Sequence, residues 1–458
     1  MKIDENELEK DFKMMQKLEN QLGKISKDTT GKVPLSELQT QIPSIDFERI
    51  LKSFKNDEKL RENAFSPVSD YFWSSKKNLE HVLKKTPPRV LANFLIIRFI
   101  AFSTEFFRTE PDKPNTLSYC ADFVIHMLPR AALRVYVHNH FDRENKEHVS
   151  RMLESIRDSY VQMFNSSTWL HPKTKESAIR KLTHLRKVIG YPDEFEPQGT
   201  LDKIFEESLD IKSTDSFYTF SRKVARFRTE QLLESSMGGA VMTSNYDVLG
   251  VNAAYWALRN SFVITVPFLD EPFFDATLPK YVRLASVGSV MAHEIGHAFD
   301  TDGRNFDENG KKESDLWTRE DTAEYDRKAQ CLVDQYNEYD DPVYGRKMNG
   351  TKTLEEMLAD RMGVEATWRS LKAEDLSGEA SLIGFEGVPF EKMFFRVMAM
   401  NFCATRDRLP LEIILEKKPH PSASFRANGI LSNLHQFGAA FKCPVGSPMN
   451  PAKKCTFL

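Results

Sequence analysis

The residues in this chain best placed to do chemistry are two histidines four positions apart, in His293-Glu294-Ile295-Gly296-His297. On a helix, positions i and i+4 lie one turn apart on the same face. Their ring nitrogens can then converge on one Zn²⁺ at about 2.0–2.1 Å. Glu294, between them, is placed to take a proton from an attacking water as general base. A hydrolytic zinc site also needs a third protein ligand and an open fourth position. The candidate ligand is Glu356 in Thr353-Leu-Glu-Glu-Met-Leu-Ala-Asp360, with Asp360 one turn further on. Asp360 suits the carboxylate that accepts the other ring N–H of a ligand histidine and fixes its tautomer. Asp300, one turn past His297, is a second carboxylate of that kind. An acidic pair alone is more often a solvated helix face, so these roles depend on the two histidines. One zinc ion per chain is expected.

Those side chains need helices to carry them. PKYVRLASVGSVMAHEIGHAFD (279–300) reads as a long helix opening at a proline, and KTLEEMLADRMGVEATWRSL (352–371) as another. DTAEYDRKAQCLVDQYNEY (321–339) is helical too. RNSFVITVPF (259–268) is rich in β-branched and aromatic residues and bounded by Pro267, which predicts a short strand. Upstream, residues 145–190 keep a helical pattern until Gly190-Tyr-Pro stops it, and 192–248 suit a connector with one helix near 216–235. Residues 1–110 read as helix and connector. The apolar run VLANFLIIRFIAF (90–102) contains Arg98 and falls short of the roughly 20 residues that span a bilayer, so a buried helix is expected. The fold class is mainly α with one small β patch.

Composition narrows the function. The 458 residues are 41% hydrophobic and 28% charged, with a net charge of -3. That is ordinary globular chemistry without the basic excess of a nucleic-acid binder. The opening MKIDENELEKDF lacks the apolar core of a signal peptide, and no transmembrane segment is expected. The cysteines, Cys120, Cys331, Cys403, Cys443 and Cys455, are odd in number and form no C-x-x-C pair.

In this order, the motifs strongly resemble the neprilysin and endothelin-converting-enzyme family of zinc endopeptidases. The resemblance runs through CADFVIHMLPRAALRVYV (120–137), STWLHPKTKESAIRKLTHLRKVIGYPDE (167–194), VNAAYWALRN (251–260), MAHEIGHAFDTDGRNF (291–306), TLEEMLAD (353–360), HPSASFR (420–426) and FKCPVGSPMNPAKKC (441–455). It implies a zincin-type catalytic domain at 192–458 and an N-terminally shortened helical lid region at 1–191. His293, His297 and Glu356 match the zinc ligands, Glu294 the base and Asp360 the outer carboxylate. His420 matches the histidine that stabilises the oxyanion, and Arg426 an arginine that holds a substrate carbonyl. Asn252 and Ala253 match a pair that grips substrate backbone, with the peptide expected alongside SFVITVP. Phe402 matches the aromatic of the primed-side pocket. Met357 stands where the family usually has asparagine, removing a polar group that would grip peptide or the metal surroundings.

The resemblance implies further that Cys331 pairs with Cys455 and that Cys120, Cys403 and Cys443 are free thiols. The implied activity is zinc-dependent hydrolysis of short peptides on the amino side of hydrophobic residues, outside the cell or at the plasma-membrane surface. The alternative is a catalytically weak or inactive peptide-binding protein that keeps the ligands.

Overall fold

Pro279 opens the helix that carries the two histidines, and the chain stays helical from Lys280 to Gly296 before one tighter turn over His297–Phe299. In this computed structural model the described residues are 5–23, 25, 32–54, 65–67, 79–105, 116–191, 205, 209–236, 249–313, 315–341, 346–403 and 420–458. The motif helix widens at Leu284–Gly288 into a π-type turn. Such a bulge loosens backbone carbonyls. Asn401 answers this by donating its side-chain amide to the carbonyls of Ala285 and Ser286, both at 3.1 Å.

The chain forms two compact units that interleave along the sequence, residues 1–135 with 193–247, and residues 136–192 with 248–458. This differs from the sequential division at 191/192, and packing is the reason. Helix Arg143–Ser166 lies against both the motif helix and helix Leu354–Ala373. From it the Tyr160 hydroxyl donates to the carbonyl of Ala292 at 2.7 Å, one residue before the first histidine. The stretch expected to stay helical to 190 instead leaves helix Pro172–Thr183 and forms strand Arg186–Gly190. That strand pairs in parallel with Ser261–Thr265.

In the first unit, helices Glu5–Leu22 and Pro88–Glu105 pack together, with Arg89 Nε 2.8 Å and Asn93 Nδ2 3.0 Å from Asp11 Oδ2. Helix Pro88–Glu105 was expected to be buried. It buries Val90, but Leu95, Ile97, Phe99 and Phe102 are exposed. Its apolar residues surround the axis, whereas its contact with helix Glu5–Leu22 takes up one side. Leu38 and Ile42 form a small core with Leu35, Ile45, Phe47, Leu79 and Leu83. Helix Thr116–Met127 meets helix Phe217–Ser236 through Phe123 and Phe217, ring centroids 5.1 Å apart.

In the second unit a three-stranded sheet has the order Arg186–Gly190, Ser261–Thr265, Ala253–Trp256. The strand read as SFVIT is therefore central, parallel to one neighbour and antiparallel to the other. A peptide cannot add alongside it, because its backbone groups are already paired on both sides. The edge strands are Arg186–Gly190 and Ala253–Trp256, and of these Ala253–Trp256 packs on the motif helix.

Two glycines let the motif helix and helix Leu354–Ala373 approach backbone to backbone. A Cβ on Gly296 would stand 2.8 Å from Ala359 Cα, and one on Gly363 would stand 2.8 Å from the backbone nitrogen of His293. Backbone cannot step aside as a flexible side chain can. Gly363→Ala is expected to destabilise the fold by about 1–3 kcal/mol and to loosen the ligand geometry. Thermal unfolding and zinc content check this, and wild-type values for both would refute it.

Cys331 and Cys455 are bridged, with Cα atoms 5.6 Å apart, as the resemblance implied. The bridge closes a 124-residue separation, for which the chain-entropy model gives about 4–5 kcal/mol. Arg361, next to Asp360, donates to the carbonyl of Cys455 at 3.3 Å, and Asn433 accepts from its N–H at 2.8 Å. Cys403 and Cys443 are free thiols, and the side chain of Cys120 lies outside the described residues.

Candidate metal centre

The two histidines rise from adjacent turns of the motif helix, and Glu356 faces them from the first turn of helix Leu354–Ala373. His293 Nε2 and His297 Nε2 are 3.1 Å apart. Glu356 places Oε2 3.3 Å from His293 Nε2 and Oε1 3.7 Å from His297 Nε2. Four ligands around zinc at 2.0–2.1 Å stand about 3.3–3.4 Å from one another. The two Nε2 atoms, with one carboxylate oxygen of Glu356 facing each ring, stand close to that spacing. Glu356 Oε2 is also buried without a hydrogen-bond partner, although nitrogens lie close to it. A buried carboxylate oxygen without a hydrogen bond is costly, and a cation shared with the two rings relieves that cost. These residues fit a zinc ion.

The outer nitrogens of both rings are held. Asp360 Oδ1 lies 2.7 Å from His293 Nδ1, and Asp300 Oδ2 lies 2.7 Å from His297 Nδ1. Each carboxylate can accept the Nδ1–H of its ring, which leaves Nε2 as the nitrogen directed at the cluster. Asp360 is itself gripped by Arg426, Nε to Oδ2 at 2.8 Å and Nη2 to Oδ1 at 2.7 Å. Burial works against the Asp360 carboxylate, but Arg426 and His293 outweigh it and hold its pKa down to about 2.

The guanidinium of Arg426 lies 5.0 Å from the centre of the Phe402 ring. His420, half-exposed, sets Nε2 3.1 Å from Glu356 Oε2. Glu294 is half-buried on the motif helix between the two histidines. One expectation shifts here. Met357 is fully buried, with Thr353 Oγ1 3.6 Å from its sulfur, so this position faces the core and not a peptide.

Asn252 and Ala253 stand at the start of the edge strand. Thr265 N–H donates to the carbonyl of Asn252 at 3.0 Å, and Asn252 Oδ1 accepts from the N–H of Ala253 at 3.0 Å. Antiparallel pairing alternates, so the backbone of Ala254 turns towards the central strand and the carbonyl of Ala253 towards the open edge.

Charge in the ligand set gives a pH dependence. Burial disfavours an imidazolium at His293. The charge and hydrogen bond of Asp360, with Glu356, outweigh that and push the ring up to about 10. His297 is also raised, burial opposing and the Asp300 hydrogen bond prevailing. Zinc binds the neutral ring, so near pH 7 uptake must displace a proton. For protein prepared without metal, affinity is expected to rise about tenfold per pH unit for each proton displaced, levelling off as pH passes about 10. Competition against a chelator between pH 6.5 and 9 measures the slope, and a flat profile would refute it.

Among known proteins, two models described as peptidase family M13 match this chain, one over residues 2–192 and the other over residues 252–457. Neprilysin-1 of Caenorhabditis elegans is 29% identical over 444 residues, covering 92% of this chain and 58% of that protein. Neprilysin-2 of Drosophila melanogaster is 30% identical over 419 residues, covering 83% of this chain and 52% of that protein. The chain thus spans little more than half the length of these curated relatives. Among solved structures, PepO from Lactobacillus rhamnosis HN001 superposes with a TM-score of 0.74 at 18% identity, covering 98% of this chain and 71% of that one. The zinc metalloprotease ZMP1 of Mycobacterium tuberculosis, in complex with inhibitor, gives 0.69 at 21% identity, covering 95% and 68%. At these identities the superpositions establish a shared, mainly helical fold.

Proposed function

The chain belongs to peptidase family M13, and on that premise we propose that it is a zinc-dependent endopeptidase of short peptides, cutting on the amino side of hydrophobic residues. The observation that carries this reading is the buried convergence of His293, His297 and the Glu356 carboxylate, whose ligand atoms lie within 4.8 Å of one another. When bound, zinc supplies Lewis-acid polarisation of the scissile carbonyl and lowers the pKa of water. The protein's own residues do the rest. Glu294 accepts the proton of the attacking water and passes it to the leaving amine. His420 donates to the oxygen on which negative charge develops. Asp360 and Asp300 keep His293 and His297 in the ligating tautomer.

Substrate would lie extended along Ala253–Trp256 as an added strand, its backbone met by Asn252 and Ala253. Arg426, already committed to Asp360 through Nε and Nη2, has Nη1 without a partner among the described residues and available to a substrate carbonyl. Phe402 offers the apolar wall behind the preference for a hydrophobic residue. An extracellular or plasma-membrane location is supported by the Cys331–Cys455 bridge, since disulfides persist in oxidising compartments. No helix among the described residues is long and apolar enough to cross a membrane.

Zinc content by metal analysis, together with turnover of a quenched peptide carrying a central hydrophobic residue, tests the proposal. One zinc per chain and zinc-dependent cleavage before that residue support it. A zinc-loaded chain that binds such peptides and does not cut them would leave a peptide-binding protein instead. His420→Ala is expected to lower kcat on the order of 10²-fold with little change in KM, as when a donor to the developing oxyanion is lost. Unchanged kcat with a raised KM would make His420 a substrate clamp only.

A further inference from the structure

A buried lysine outside the metal motif braces the turn that follows it. Lys181, near the end of helix Pro172–Thr183, is 4% exposed. Its ammonium donates to the carbonyls of Ala298 at 2.9 Å and Gly303 at 2.6 Å. Between those carbonyls sits Asp300. Asp300 Oδ1 accepts the N–H groups of Asp302 and Gly303, at 3.0 and 2.6 Å, while its Oδ2 lies against His297 Nδ1. Lysine and aspartate therefore brace one turn from its two ends. The turn is wound tightly, since a Cβ on Gly303 would fall 1.8 Å from the carbonyl oxygen of His297.

Holding a cation there is costly. Burial pulls Lys181 down to about 7, against the opposing charges of Asp300, Asp307 and Asp302. An apolar residue of similar length could fill the space without that cost, but it would take this donor from the carbonyl of Ala298 and leave that of Gly303 with the N–H of Phe306 alone. The ammonium thus satisfies the turn that carries Asp300 in a way packing alone does not.

We propose that Lys181 is a positioning residue for the metal centre, fixing the 298–303 turn so that Asp300 stays on His297 and zinc is retained. This inference rests on the zinc reading above. The simpler account, a lysine that merely stabilises the core, predicts lower thermal stability with no specific effect on the metal.

The experiment loads the full chain with zinc and follows its release into excess chelator. Lys181→Met is expected to speed release by about 10–100-fold, the range for lost outer-shell support. Leu182→Ala, buried on the same helix, serves as the stability control and should release zinc at the wild-type rate despite a lower Tm. Asp300→Asn should speed release as well. Lys181→Met combined with Asp300→Asn should release zinc no faster than Asp300→Asn alone, because both act through His297. Should Lys181→Met not fold, Lys181→Gln, which keeps one donor, is read in the same assay and should also release zinc faster than wild type. Wild-type release from the lysine variants, a matching acceleration in Leu182→Ala, or additivity with Asp300→Asn would each overturn the inference. A wild-type chain that holds no zinc would instead overturn the metal reading.

Discussion

Glu294→Gln should keep one zinc per chain and lose turnover on the order of 10³-fold, within the range for a lost general acid–base. The substitution keeps size and helix compatibility and removes the proton acceptor together with its charge, the smallest of the causes acting on His293. Glutamine at 294 leaves untouched the contacts that shape the ligand set, because those belong to Glu356, Asp360 and Asp300. Zinc content and chelator-release rate should therefore match wild type while peptide turnover collapses. Loss of zinc would show that Glu294 supports the metal, and wild-type turnover would remove it from the reaction. Binding of an uncut peptide should survive, which separates a missing base from a damaged site.

The cluster of His293, His297 and Glu356 was legible because its signal is local. His293 and His297 share a helix face by spacing alone, and Glu356 and Asp360 repeat that spacing on a second helix. That the two helices meet depends on Gly296 and Gly363, which as letters in a sequence look like weak points in a helix. Sheet order was less accessible. Ser261–Thr265 was recognisable as a strand, but its central place depends on Arg186–Gly190, which follows directly on a helical pattern and is polar at its start. Parallel pairing across some 75 intervening positions leaves no local periodicity to read. The interleaving of the units has the same origin, since helix Arg143–Ser166 shows an apolar face but not which helices will cover it. Lys181 is harder still. A lysine near a helix end reads as a solvated cation, and only the fold brings two buried carbonyls to it.

Glu356→Ala is the decisive test of the metal centre and should abolish both zinc binding and activity. Losing an outer-shell partner already costs about 10–100-fold in metal affinity. Losing an inner ligand, the one carboxylate among the described residues that joins the two histidines in the cluster, should cost more than about 100-fold. His293 and His297 would remain oriented by Asp360 and Asp300, so the deficit reports the missing ligand and not a collapsed pair of rings. His293→Ala should lose zinc in the same way. The control is next in sequence. Glu355 is exposed and accepts a hydrogen bond from Thr301 Oγ1 at 2.8 Å, so Glu355→Ala should keep one zinc. Burial and orientation separate these neighbours, since both are glutamates in the first turn of one helix. A Glu356→Ala chain that still carries stoichiometric zinc after dialysis would remove Glu356 from the ligand set. Equal zinc loss from Glu355→Ala would mean that the first turn of that helix, and not the Glu356 carboxylate, is what the metal requires.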